Sequence, residues 1–194
     1  MLDFGQSEDW LFCAQIVTIG AMNGQKDSIL ILPVKPVVQA NNYECGVACV
    51  QTILGTKGIR SNRLGLKKVL GTSRVHGTLP GKIKAYLSTF DFVVKEKHRA
   101  SLRSIEAELK KGRMCLVAYQ AWGAKKYFES LQSGHYSVVF GIEDGYLWLA
   151  DPNVKGSRVR YKKGIRKIKK EVFEARWKDE DGKKKLYDHW YLAI

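Results

Sequence analysis

Gln39-Ala40-Asn41-Asn42-Tyr43-Glu44-Cys45-Gly46-Val47-Ala48-Cys49-Val50 is the stretch from which the rest of the chain can be read. Its first half is polar and its second half is apolar at helical spacing, so a loop should run into a helix near Glu44. Cys45 stands at the junction. Unpaired N–H groups and the helix dipole favour an anion at a helix N-terminus, so a thiol placed there is drawn toward thiolate. Glu44 works against this, because a neighbouring carboxylate raises a thiol's pKa unless it turns away to cap the helix. Gly46 is expected to leave the approach to sulfur uncrowded.

Further along, Gly134-His135-Tyr136-Ser137-Val138-Val139 and Leu149-Ala150-Asp151-Pro152 each set one polar side chain at an end of a strand-like run. Glu143-Asp144-Gly145 between them is a hairpin turn. A hairpin brings the start of its first strand beside the end of its second, so His135 and Asp151 become neighbours. A cysteine nucleophile needs a thiolate, a proton shuttle and donors for the developing oxyanion. Cys45 answers the first need and His135 the second, with Asp151 holding one imidazole nitrogen so that the other faces sulfur. Gln39 lies one short loop before Cys45; its amide, with the Cys45 backbone N–H, would bind the oxyanion.

The remaining chain is read as elements around these residues. Strands are expected at Ser28 to Val34, Phe92 to Lys97, Met114 to Tyr119 and Trp190 to Ile194, besides the hairpin His135 to Ile142 and Tyr146 to Ala150. Helices are expected from Gly46 to Leu54; from a Ser61 cap to Leu70, with Leu64, Val69 and Leu70 buried; and from Thr78 through Pro80 to Thr89. Two more run from a Ser101 cap through Leu102 to Lys110, closed by Gly112, and from Glu171 to Trp177. Gln120 to Ser133 reads as loop, and Asp179 to Lys185 as a charged turn. Helices first and an antiparallel sheet second is an α+β layout. Residues 1–27 read as an extension and 28–194 as one domain.

Composition bounds the function. The 194 residues are 45% hydrophobic and suit a packed domain. The net charge of +14 predicts attraction to polyanions. Much of it lies in residues 155–170, which read first as a solvated surface and second as a site for an acidic protein or nucleic acid; no long amphipathic helix accompanies it to favour a membrane. Four scattered cysteines, Cys13, Cys45, Cys49 and Cys115, make no disulfide scaffold and fit a reducing compartment. No run reaches the roughly 18 apolar residues of a membrane span. The N-terminus lacks a basic n-region. A cytoplasmic protein is expected, or one exported without a cleavable signal peptide. Cys45 and Cys49 share a helix face but have no second Cys/His pair nearby, so no metal is expected, nor any cofactor. His189, beside Asp188, is the rival base, placed far from Cys45; His76 and His98 read as surface residues. Trp122, Tyr136 and Trp148 are candidates to line a peptide groove, with packing favoured for Trp148.

With these residues in place, QANNYECGVACVQTILG and GHYSVVFGIEDGYLWLADP resemble the papain-like cysteine peptidases that process double-glycine bacteriocin leaders. The resemblance extends to Gly77-Thr78, to the Leu109–Gly112 helix end, and to Phe173, Arg176 and Trp177 with a terminal Trp190 strand. It implies a papain-like fold, a helical part packed on an antiparallel sheet, in a stand-alone member of the family. It implies Cys45 as nucleophile, His135 as general base and acid, Asp151 as orienting group and Gln39 as oxyanion donor, acting on a peptide or protein. Two other readings stand beside the peptidase. One is a deamidase or transglutaminase-like acyl transferase using the same residues on a side-chain amide. The other is a basic binding module without turnover.

Overall fold

The computed structural model describes residues 15–18, 28–154, 163–181 and 184–194. Its elements in chain order are β1 (Gln15–Thr18), β2 (Ser28–Ile31), α1 (Cys45–Thr56), α2 (Arg63–Val69), α3 (Pro80–Leu87), β3 (Lys95–Lys97), α4 (Leu102–Leu109) and β4 (Cys115–Gln120). There follow α5 (Lys125–Glu129), β5 (Gly134–Glu143), β6 (Tyr146–Ala150), β7 (Ile165–Lys169), α6 (Lys170–Glu174), β8 (Lys178–Glu180), β9 (Leu186–Asp188) and β10 (Tyr191–Ala193). This is the mixed helical and antiparallel architecture that the sequence pattern implies.

The ten-residue strand β5 is the axis of the sheet. Its first half pairs with β4, from Cys115↔Val139 to Gln120↔Gly134. On the same edge its far end pairs with β2, through Leu30↔Ile142 and Ile31↔Gly141. The opposite edge takes β6, with a bulge between Val139 and Gly141. Beyond β4 lie β10 and then β3, and beyond β6 lies β7. Strand β1 extends the sheet past β2, so at least Gln15–Thr18 of the N-terminal extension is built into it. Cys13, the remainder of that extension and residues 155–162 of the basic stretch lie outside the described residues.

A strand flanked on both edges and covered on both faces is mostly apolar, and β5 is buried from His135 to Ile142 with His135 and Ser137 as polar exceptions. Helix α1 covers one face; Val47, Val50, Ile53 and Leu54 are at most 1% exposed. Each such side chain contributes on the order of 1.5–3 kcal/mol by leaving water. Helix α4 begins in a reciprocal Ser101–Ser104 capping box and ends before Gly112 at φ +73°, as expected.

Several local expectations are corrected. The second helix is capped by Asn62, which accepts from the Gly65 N–H, and not by Ser61. It buries Leu66 and Leu70, one turn apart, and leaves Leu64 and Val69 largely exposed. Thr78 does not cap the third helix; Leu79 precedes Pro80 in extended conformation, and the Thr78 hydroxyl bonds that of Thr72 at 2.7 Å. The stretch from Gln120 to Ser133 contains the short helix α5. The charged turn after Asp179 is a β8–β9 hairpin. The end of the basic stretch is strand β7, where Lys167 is engaged by Glu143.

Gly46 has a different use from the one expected. A Cβ there would lie 2.7 Å from Thr78 Cβ and 2.8 Å from its Oγ1. The glycine therefore lets α1 close on the segment leading into α3. Gly46→Ala is expected to destabilise the fold by about 1–3 kcal/mol, because backbone must move to admit one methyl group. Urea unfolding midpoints of the two proteins check it.

Candidate active site

Cys45 is the first residue of α1, and Glu44 occupies the N-cap without a side-chain capping bond. The Glu44 carboxylate is buried and turned to other partners: Asn41 Nδ2 at 3.0 Å, Arg63 Nη1 at 2.6 Å and Lys67 Nζ at 3.2 Å. Burial would raise its pKa, but those three donors outweigh that and hold it below the usual carboxylate range. Its charge is thus compensated beside the sulfur, and the conflict expected from the sequence does not arise.

His135, the second residue of β5, is almost fully buried, and Asp151 follows the end of β6 equally buried. The hairpin sets His135 Nε2 2.8 Å from Asp151 Oδ1. Cys45 lies close enough to the same imidazole to interact with it electrostatically. Cys45 and His135 face a cavity of about 260 Å³, whose other walls include Asn42, Thr78, Tyr136 and Asp179. Burial opposes a charge on His135, yet the bond to Asp151 and the interaction with Cys45 prevail and lift its pKa to about 9. Asp151 shows the reverse balance. Burial pushes its pKa up, while His135, the Asn153 N–H at 2.9 Å and Arg166 bring it below the ordinary value. Its second oxygen accepts from Arg166 Nη1 at 3.2 Å.

Aromatic rings enclose the imidazole. Trp122 lies 5.0 Å from it and Tyr119 6.0 Å, centroid to centroid. Tyr136 lines the cavity and donates to the Thr78 carbonyl at 3.0 Å. Trp148 bonds Glu143 and stands over Lys167 on the hairpin. His189 bonds Asp188 at 2.7 Å and packs on Trp177, outside the cavity walls. His98 is a half-exposed residue near Glu96, whereas His76 borders the cavity. Cys49, one turn after Cys45, is fully buried with its thiol pushed far up by burial.

Gln39 is buried, and its side-chain oxygen accepts from nothing among the described residues. Its backbone N–H donates to the Pro152 carbonyl at 2.9 Å, which fixes this loop against the residue after Asp151. Of the four residues singled out from the sequence, three converge directly and the fourth is tied in through Pro152.

Arg166, Gln120 and Asp179 were not foreseen. Gln120, with no exposed surface, donates to the Lys178 carbonyl at 3.1 Å and Asp179 Oδ1 at 2.9 Å, and accepts from the Ser133 N–H at 2.7 Å. It straps β8 to the turn before β5. Burial lifts the Asp179 pKa to about 7, against the hydrogen bonds from Glu180 N–H and Gln120. The Asp179 carboxylate fills the space where a side chain at 134 would project, 2.6 Å from a Cβ built there. Gly134→Ala is therefore expected to push the Asp179 carboxylate off Gln120 Nε2, loosen the turn before His135 and lower kcat about tenfold, since a shift near 1 Å can cost 10²-fold. Steady-state kinetics beside a near-UV spectrum of the folded variant check it.

Residues 33–180 match the sequence profile of the Peptidase C39 family. The chain belongs to the Peptidase C39 family. It is a cysteine peptidase by that membership. An uncharacterized protein of Methanothermobacter marburgensis is 27% identical over 124 residues, which are 64% of this chain and 75% of that one. The C39 fold recurs in solved structures. The peptidase domain of Streptococcus ComA, a bifunctional ABC transporter of a quorum-sensing pathway, has TM-score 0.59 and 17% identity, covering 81% of this chain and 95% of that one. A double-glycine motif protease of an AMS/PCAT transporter, solved with its leader peptide, has TM-score 0.56 and 18% identity over 82% and 89%. A C39-like peptidase of Bacillus anthracis has TM-score 0.65 and 13% identity over 85% and 96%. At those identities the likeness concerns fold. Among the described residues of this C39 protein, no helix is long and apolar enough to cross a membrane.

Proposed function

We propose that this chain hydrolyses peptide bonds through a thioester on Cys45. The observation that carries the reading is the single imidazole of His135, bonded to Asp151 through Nε2 and sharing one cavity with Cys45, with which it interacts electrostatically. In the reactive state the proton sits on His135 and the charge on sulfur. Sulfur attacks the carbonyl carbon, and the oxyanion is met by the Cys45 N–H and the Gln39 amide. His135 passes its proton to the leaving amine, which departs as the thioester forms. The neutral imidazole then takes a proton from water, the hydroxide attacks the thioester, and thiolate leaves. Asp151 fixes the tautomer throughout.

Residues 28–194 form the catalytic domain in this reading, with 1–27 an extension that lends the sheet strand β1. The substrate is a peptide segment able to lie in the cavity at Cys45. One structural relative was solved with a leader peptide, which supports a leader-type substrate here. N-terminal profiling of a proteome treated with the protein or its Cys45→Ala form tests this. New N-termini made only by the former support hydrolysis of the backbone. Side-chain changes of roughly one dalton without scission would replace it by deamidation. No change of either kind would favour a binding role.

A further inference from the structure

We infer that Arg166 is a positioning residue for this proposed centre: its guanidinium holds the Asp151 carboxylate ionised and turned toward His135. The inference rests on the Cys45–His135–Asp151 reading and adds a fourth residue to it. Asp151 is 1% exposed, and a carboxylate so buried stays charged only when its oxygens are bonded. Oδ1 is committed to His135 Nε2 and the Asn153 N–H. Oδ2 has Arg166 Nη1 as its one hydrogen-bond donor among the described residues. Without that donor the carboxylate can rotate or accept a proton, and either change loosens its grip on Nε2.

Arg166 reaches Asp151 because of backbone pairing. Strand β7 lies on β6 with Leu149↔Arg166 and Ala150↔Ile165 in register, and the Asp151 N–H donates to the Gly164 carbonyl at 2.9 Å. The guanidinium also interacts electrostatically with the Tyr119 hydroxyl, and Tyr119 packs edge-on to His135. One side chain therefore bonds the acid that holds the imidazole and lies near a ring that flanks it. The titratable groups facing the centre are Cys45 and Cys49 from α1, Tyr119 from β4, His135 and Tyr136 from β5, Arg166 from β7 and Asp179 from β8. Arg166 is the fixed cation among them. Desolvation works against its charge, which Tyr119 and Asp151 more than restore.

The test is the rate at which iodoacetamide alkylates Cys45, mapped by peptide mass spectrometry, from pH 4 to 10. Wild type, Arg166→Lys and Arg166→Gln are compared, with circular dichroism on each. No substrate is needed, and the buried Cys49 and Cys115 report on unfolding. Arg166→Gln removes the charge but keeps a hydrogen-bonding group, so it folds where an apolar replacement would not. The expected result for Arg166→Gln is an acid limb raised by about one pH unit and a plateau lowered about tenfold, the scale of losing a charge-assisted bond. Arg166→Lys should keep its acid limb close to wild type. Coincident limbs in wild type and Arg166→Gln would overturn the inference. So would an equal loss of rate in both variants with unmoved limbs, which marks a merely structural residue. Wild-type Cys45 that reacts no faster than a free thiol at pH 6 would overturn the centre itself, a result separable from the other two.

Discussion

Cys45→Ala is expected to lower the rate of peptide cleavage by on the order of 10⁵-fold, to the background left by binding and the oxyanion donors alone. The substitution removes only Sγ. Alanine is the best helix former, so α1 should start where it does now. Glu44 keeps its bonds to Asn41, Arg63 and Lys67, none of which involves the sulfur. A loss of this size with an unchanged unfolding transition assigns the lost step to the sulfur. Steady-state kinetics and calorimetry on the same preparation decide it. Cleavage above about 1% of wild type would point to another nucleophile. Cys49 and Cys115 are poor substitutes, since both are buried and burial raises both thiols.

The second large effect belongs to His135. His135→Gln should lower kcat by about 10³-fold, because the variant can neither take up nor release a proton at the sulfur. The pH profile carries more information than the size of the loss. In wild type the imidazolium persists until its pKa of about 9, so cleavage should hold across neutrality and fall above that value. In the variant the sulfur loses its cation, so the plateau of alkylation near neutrality should disappear. A variant that keeps a neutral plateau would refute the pairing. The same shift appears in stability. The folded pKa of His135 lies above its ordinary 6.5, so its contribution is complete below pH 6.5 and disappears as pH rises through about 9. Asp151, held below 3.8, contributes above that value and loses its contribution as pH falls through its folded pKa.

The polar-to-apolar junction at Cys45 and the hairpin carrying His135 and Asp151 were legible because each rests on a local signal: a helix start, a turn triplet, strand ends. Strand β7 was not legible. Its lysines and arginine hide the two isoleucines, Ile165 and Ile168, whose spacing is the only apolar cue. Arg166 looked like surface charge because its partner is assembled by strand pairing and is absent from its own segment. Asp179 and Gln120 were hidden for a similar reason, since they meet across 59 positions of sequence. Leu64 and Val69 misled the reading because they stand five positions apart, on different sides of a helix, whereas the buried Leu66 and Leu70, four apart, share one side.

The bond from the Gln39 N–H to the Pro152 carbonyl joins the nucleophile's loop to the acid's turn through main-chain atoms alone. No point substitution that leaves the backbone in place can cut such a seam, short of proline at 39. Both ends are free to vary in side chain as far as this link is concerned, but the spacing between Gln39 and α1 is not. Lengthening or shortening 40–44 by a single residue would slide one half of the cleft past the other while every named side chain stayed present. For anyone grafting this centre onto another scaffold, the quantity to preserve is therefore the loop's count of residues, ahead of their identity.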